Sequence, residues 1–225
     1  MKALQLHSWR VTPAKARRIQ SELSERVERR DRLGPVRMIA GADMALDIAR
    51  GRAIAGVVVF RFPSLEEVER ASAVRPLTFP YVPGLLSFRE APALLAAFAR
   101  LRSTPDLLFF DGHGFAHPRR FGIACHMGLL FDRPSIGCAK SLLIGEHKEP
   151  ATAAGSRAPL RVAEETIGAA LRTRAGVKPV YISTGHRISL ERAVEFTLAA
   201  CDGFRIPRPT RLADHFVEAR KRGAK

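Results

Sequence analysis

Cysteine is scarce in this chain. Only Cys125, Cys138 and Cys201 occur, odd in number and with no CxxC pairing. That argues against a disulfide framework and reads as reduced, small core residues in a cytoplasmic protein. No run of about twenty apolar residues occurs, so no membrane span is expected. The N-terminus, Met1-Lys-Ala-Leu-Gln-Leu-His-Ser-Trp9, lacks the apolar core of a signal peptide. There is no GxSxG, no Walker loop and no GxGxxG after a strand, which removes three common nucleophile and phosphate scaffolds. Acidic residues are also few: 22 Asp+Glu against 37 Lys+Arg leave a formal charge of +15. An excess of that size calls for a partner rich in negative charge, with nucleic acid the first candidate. A membrane surface is the second, but no long basic amphipathic helix with a Trp/Phe/Leu face is present. High arginine content also follows from a GC-rich genome, so charge alone does not decide.

What is present is enough for a sizeable core. The 225 residues, 46% hydrophobic, are read as a single domain over 1–225, with an ordered core from about 10 to 220. Ile19, Leu23 and Val27 mark an amphipathic helix from Pro13 to Arg30, with Thr12 as N-cap. Val36–Ala42 and Ala53–Phe60 read as an antiparallel hairpin, the first strand ending on Asp43. Leu65–Ala73 is ambiguous between strand and helix. Phe79-Pro-Tyr81-Val-Pro83-Gly84 reads as a stiff exposed loop, because its prolines fix φ and remove donors. Ser87 is placed as the cap of a helix reaching about Arg102, with Glu90 at the capping-box position. Leu107–Phe110 is a buried strand, Arg119–Leu130 a helix, and Ser135–Lys140 a strand. Glu165–Arg174 and Lys178–Ser183 form a strand pair, Ser189–Cys201 a helix, and Thr210 caps a last basic helix. A hairpin followed by alternating helix and strand predicts a mixed α/β sheet with helices on its faces. With no uncommitted apolar face, a monomer is expected.

The chemistry centres on Asp106-Leu-Leu-Phe-Phe-Asp111-Gly-His-Gly-Phe-Ala-His-Pro-Arg-Arg120. A buried strand ends there on a carboxylate and breaks into a glycine turn, the position where α/β sheets bind ligands. If the hairpin neighbours this strand, Asp43 and Asp111 emerge at one edge, with Glu90 between them in sequence. Converging carboxylates repel one another and attract a divalent cation; all-oxygen ligation favours Mg²⁺ or Mn²⁺. Beside a basic surface, such a site suits in-line attack on a phosphodiester. The plainer alternative is that Glu90 caps its helix and the aspartates only close strands. His113, His117, Cys125 and His126 offer a zinc set, although Gly114 and Pro118 prevent a helical His-x3-His face. Lys140 at a strand end can hold a phosphate or remain a solvated charge, and Asp214 can add a fourth carboxylate or face solvent.

Several segments in order resemble the endonuclease V family, the deoxyinosine 3′ endonucleases. They are Gly41-Ala-Asp43, Pro80-Tyr-Val-Pro-Gly-Leu-Leu-Ser-Phe-Arg-Glu90, Asp111 to Gly122, Gly137-Cys-Ala-Lys140, Gly185-His186 and Pro209-Thr-Arg-Leu-Ala-Asp214. The resemblance implies a ribonuclease H-like fold and Mg²⁺-dependent hydrolysis of the second phosphodiester bond 3′ to a deaminated base in DNA, with inosine-containing RNA or mismatched and branched DNA as the alternative substrates. Carried over by motif, Asp43 and Asp111 are metal ligands and Glu90 joins the same acidic set. Asp214 falls where the family varies between Asp and His, and Lys140 contacts phosphate or assists catalysis. Tyr81, held with Pro83 in the Pro-Tyr-Val-Pro loop, is the implied wedge. Gly84, Leu85, Gly112, His117 and Gly122 border the implied pocket for a flipped base. Ala42 and Met44 are conservative departures beside Asp43. The basic tail, Arg220 to Lys225, matches nothing in the family and is expected to add only nonspecific phosphate contact.

Overall fold

The computed structural model describes residues 1–223. Its centre is an eight-stranded sheet in the order β3-β2-β1-β4-β5-β8-β7-β6. In chain order the strands are β1 (Met38–Asp47), β2 (Arg52–Arg61), β3 (Glu67–Pro76), β4 (Leu107–Phe110), β5 (Ser135–Ala139), β6 (Arg157–Val162), β7 (Glu165–Leu171) and β8 (Val180–His186). The helices are α1 (Pro13–Ser24), α2 (Leu86–Phe98), α3 (Ile123–Phe131), α4 (Leu190–Ala199) and α5 (Arg208–Gly223). β1 runs parallel to β4, and β4 parallel to β5, while the remaining pairs are antiparallel.

Alternation along the central strands divides the core in two. Ala40, Ala42, Val57, Val59, Leu108 and Phe110 face α2 and α3. Ile39, Val58, Phe60, Leu107 and Phe109 face α4 and α5. A strand buried on both faces has no polar side, which is why Leu107–Phe110 is an unbroken apolar run. A third cluster, including Ile19, Leu23, Phe88 and Phe121, seats α1 against the loops at one end of the sheet.

Several expectations are corrected. β1 extends to Asp47, so Asp43 sits within the strand and does not end it. The ambiguous stretch from Leu65 is strand, pairing antiparallel with β2. α1 stops at Ser24, well before Arg30, though Thr12 does cap it, accepting from the Lys15 N–H. α2 begins at Leu86 with Leu85 as an N-cap that makes no side-chain bond, and it ends at Phe98. Ser87 therefore lies inside the helix, its hydroxyl paired with His126 Nδ1 at 3.1 Å, and Glu90 closes no capping box. Thr210 likewise lies inside α5 and donates to the Pro207 carbonyl. β6 is an addition to the expected strands; Pro159 and two arginines give it the composition of an edge strand, where proline and charge are tolerated. Arg220, Lys221 and Arg222 form the last turn of α5, and the end of the expected basic tail, 224–225, lies outside the described residues.

Two glycines let α5 lie directly on the sheet. A Cβ on Gly41 would stand 2.1 Å from the Pro209 backbone, and one on Gly56 would stand 2.6 Å from Val217 Cγ1. This contact fixes where Asp214 emerges relative to β1. Gly41→Ala is expected to push α5 away, costing about 1–3 kcal/mol by overpacking. Thermal or denaturant unfolding of the variant checks it, and a stability equal to wild type would contradict the tight seat.

Candidate active site

The parallel pairing of β1 and β4 sets the first two carboxylates side by side. Ala42 aligns with Phe110, so Asp43 and Asp111 are the next residues on neighbouring strands, and the Asp111 N–H donates to the Ala42 carbonyl. α5, seated on Gly41, brings in Asp214. One carboxylate oxygen from each of Asp43, Asp111 and Asp214 lies within 4.8 Å of the others. Lys140, the residue after β5, places Nζ 2.5 Å from Asp111 Oδ2 and 2.9 Å from Asp214 Oδ2. Its carbonyl is held in turn by Arg205 Nη2 at 2.7 Å. Glu90 reaches the same region from α2 but stands outside the three-oxygen group.

Electrostatics follow from this crowding. Burial, then the Asp111 charge, raises the Asp43 carboxyl to about 7. Burial, then Asp43 and Asp111, raises Glu90 to about 8. Asp111 is also raised, by burial above all, with Lys140 opposing. Partial burial works against the charge on Lys140, but its contacts with Asp111 and Asp214 outweigh this and keep it protonated. The ammonium thus already occupies the position of a counter-cation. Oxygen-only donors, too close to share their charge, fit a hard divalent ion. The zinc set is not assembled. His113 Nε2 meets the Ser141 carbonyl, His117 Nε2 the Gly84 carbonyl, His126 pairs with His7 and Ser87, and Cys125 meets the Thr184 carbonyl. Among the described residues the three aspartates are the only candidate metal cluster.

A pocket of about 230 Å³ opens beside the cluster and shares Asp111 with it. Tyr81, Pro83, Gly84, Gly112, His117 and Gly122, all named by the motifs, line it. Leu85 is the correction: it is fully buried in the core beneath, and Leu86 takes its place on the wall. Tyr81 is 70% exposed at the rim, on the loop between two prolines. Gly84 turns that loop with φ +75, and a Cβ there would stand 2.8 Å from Arg119 Nη2. The Gly84 carbonyl accepts from both Arg119 Nη2 (2.6 Å) and His117 Nε2 (3.0 Å). Arg119 also donates from Nε to Gln20 Oε1, tying α1 to the loop. Burial lowers His113 and His117 to about 4, so both are neutral, and His113 Nδ1 is buried without a partner.

Sequence reasoning misses Arg119, Gln20, Ser141, Leu143 and Ile123. Arg119 stands in plain view two residues after His117; the others carry no chemical signal until the fold brings them together. The raised acid pKa values have a consequence for stability. A folded-state carboxyl titrating near 7 or 8, against about 4 unfolded, takes up protons that the unfolded chain does not. The buried histidines, His113 and His117 among them, act in the opposite sense over the same window, because they protonate only in the unfolded chain. The acid contribution is therefore read as a difference: in chelator, the stability of Asp43→Asn relative to wild type is expected to fall by roughly 1–2 kcal/mol as pH is lowered from 8 to 6. Denaturant unfolding at the two pH values checks it, and a difference independent of pH would contradict the picture.

Known proteins resemble this chain over most of its length. The family model for Endonuclease V matches residues 21–215. An endonuclease V of Roseiflexus castenholzii is 54% identical over 208 residues, covering 92% of this chain and 93% of that protein. The crystal structure of the Streptomyces avermitilis endonuclease V superposes with a TM-score of 0.92 at 42% identity, covering 96% of each chain. Endonuclease V of Ciona intestinalis, solved in complex with a 24mer DNA containing an inosine followed by a ribo-adenosine, matches with a TM-score of 0.84 at 27% identity, covering 94% of this chain and 98% of that one. The mixed sheet with helices on both faces is thus the ribonuclease H-like arrangement, and the chain belongs to the endonuclease V family of nucleases.

Proposed function

We propose that this protein is a Mg²⁺-dependent repair endonuclease that recognises deoxyinosine in DNA. It hydrolyses the second phosphodiester bond 3′ to the lesion and leaves 3′-hydroxyl and 5′-phosphate ends. The observation that carries this reading is the carboxylate cluster sharing Asp111 with a small pocket rimmed by an exposed tyrosine. The Ciona intestinalis relative, solved with inosine-containing DNA, supports the choice of substrate. The reading takes the chain as one domain acting as a monomer.

Asp43, Asp111 and Asp214 would offer the ion its oxygens, with Glu90 beside them. Mg²⁺, or Mn²⁺ in its place, supplies the Lewis acidity that favours in-line attack by water and offsets charge on the leaving oxygen. Lys140, kept protonated by its two aspartates, is placed to hold the scissile phosphate and to meet developing negative charge. Tyr81 offers an aromatic face to the gap left when a base leaves the stack, and its rigid loop loses little entropy in doing so. Gly84, Gly112 and Gly122 bring bare backbone to the pocket wall. Neutral His113 keeps an unpartnered Nδ1, and neutral His117, with both ring nitrogens already bonded, adds a wall without charge, which suits an uncharged base better than a phosphate.

A duplex carrying one deoxyinosine, labelled at its 5′ end, tests the reading in Mg²⁺. The expected product is a single fragment ending one nucleotide 3′ of the lesion, absent from an undamaged duplex. Asp111→Ala is expected to lower the rate by about a hundredfold or more. Tyr81→Ala should weaken action on duplex by about 1–3 kcal/mol, the value of one stacked base, with a smaller effect on single strands. Equal cutting of the undamaged duplex would sink the proposal. A matched inosine RNA in parallel, if cut faster, would keep the chemistry and change the substrate.

A further inference from the structure

Beside the pocket lies a second, larger depression, a groove of about 1380 Å³ with none of the clustered aspartates in its lining. The two abut along two stretches of chain. His117 lines the pocket and Pro118 the groove; Leu143 lines the pocket and Ile144 the groove. From there the groove follows the edge strand β6, between it and the 144–151 segment. That segment is joined to β6 by paired backbone bonds between Glu146 and Arg161.

Two arginines brace the walls. Arg172, 6% exposed, donates to the carbonyls of Pro150 and Ala151 and to Glu149 Oε1. Arg120 donates from Nε to Glu165 Oε2 and from Nη1 to the His117 carbonyl, tying the groove to the pocket wall. These contacts neutralise Glu149 and Glu165. Lys148, Arg157 and Arg161 remain: all three line the groove, all are exposed, and none forms an ion pair among the described residues. Against them stands the carboxylate of Glu146. The groove therefore carries net positive charge, adjoins the pocket along two stretches of chain, and is braced by the bonds of Arg172 and Arg120.

We propose that this groove carries the phosphate backbone of the substrate strand on the 5′ side of the base held in the pocket. The inference rests on the function proposed above. If the scissile bond lies 3′ of the lesion at Asp43 and Asp111, the strand runs from the carboxylates past the pocket in the 3′-to-5′ direction. Continued beyond His117 and Leu143, it enters the groove from its 5′ flank. Lys148, Arg157 and Arg161 then meet successive phosphates as point charges, without reading sequence.

The test compares wild type with the combined Lys148→Ala, Arg157→Ala, Arg161→Ala variant by binding titrations in EDTA at several salt concentrations. Three inosine duplexes are used: both flanks long, the 5′ flank trimmed, and the 3′ flank trimmed. On the long and 3′-trimmed duplexes, the plot of log affinity against log salt should flatten by about 0.9 for each phosphate that is no longer neutralised, up to about 2.7 for three. On the 5′-trimmed duplex the variant should match wild type. An unchanged slope throughout, or a change that follows the 3′ flank, overturns the proposal. Should the triple variant melt at lower temperature, those of the single variants Lys148→Ala, Arg157→Ala and Arg161→Ala that melt as wild type decide, each expected to flatten the slope by about 0.9 on the long and 3′-trimmed duplexes and to leave it unchanged on the 5′-trimmed one. A wild type that binds these duplexes without cutting them once Mg²⁺ is supplied removes the functional reading on its own. The groove is still judged by the slopes.

Discussion

Repulsion among carboxylates is the constraint around which this structure is arranged. Three aspartates from separate elements present oxygens within 4.8 Å of one another in a partly dry setting, and Glu90 adds a fourth acid nearby. Left alone, such a cluster pushes its own residues apart. The fold resists at every attachment. β1 and β4 are locked in parallel register, α5 is pressed onto Gly41 and Gly56, and Lys140 bridges two of the acids. Lys140 is itself anchored by Arg205, which reaches the carbonyls of Lys178, Pro179 and Lys140. The scaffold holds a strained arrangement of charge ready for a cation, and part of its stability is committed to doing so.

The pocket obeys the opposite rule. Around it charge is removed: burial keeps His113 and His117 neutral, and the Arg119 guanidinium is engaged by Gly84 and Gln20. The same bonds tie the Tyr81 loop to the pocket wall and to α1. Charge returns outside, in the groove along β6 and over the basic surface. The surface thus passes from a carboxylate cluster, through a pocket lined by neutral histidines, to a basic groove.

Much of this is legible in the residues. The buried strand Leu107–Phe110, the hairpin and the mixed sheet follow from periodicity and turn chemistry, because a doubly covered strand has no polar face to disguise it. Asp43, Asp111, Glu90, Lys140 and Tyr81 stand out by residue type and position. What fails is local. Ser87 and Glu90 spell a capping box, yet tertiary packing draws Ser87 to His126 and leaves Glu90 to the acids. Asp43 reads as a strand end because a carboxylate ordinarily breaks a buried strand; here the Met44 N–H and the Lys140 charge offset part of the cost of keeping it inside one. β6 is invisible because an edge strand need not be apolar. Leu85 and Leu86 exchange places, since neighbouring residues in one motif can face opposite ways and only packing decides which.

The most direct test of the central claim is calorimetric titration of Mg²⁺ into the protein near pH 7, repeated in buffers of different ionisation enthalpy. If Asp43 and Glu90 are held partly protonated by burial and by the neighbouring acids, the incoming ion must displace protons. The account predicts saturable binding with net proton release, and loss of both in Asp111→Asn. Binding that releases no protons, or that persists undiminished in Asp111→Asn, would contradict it.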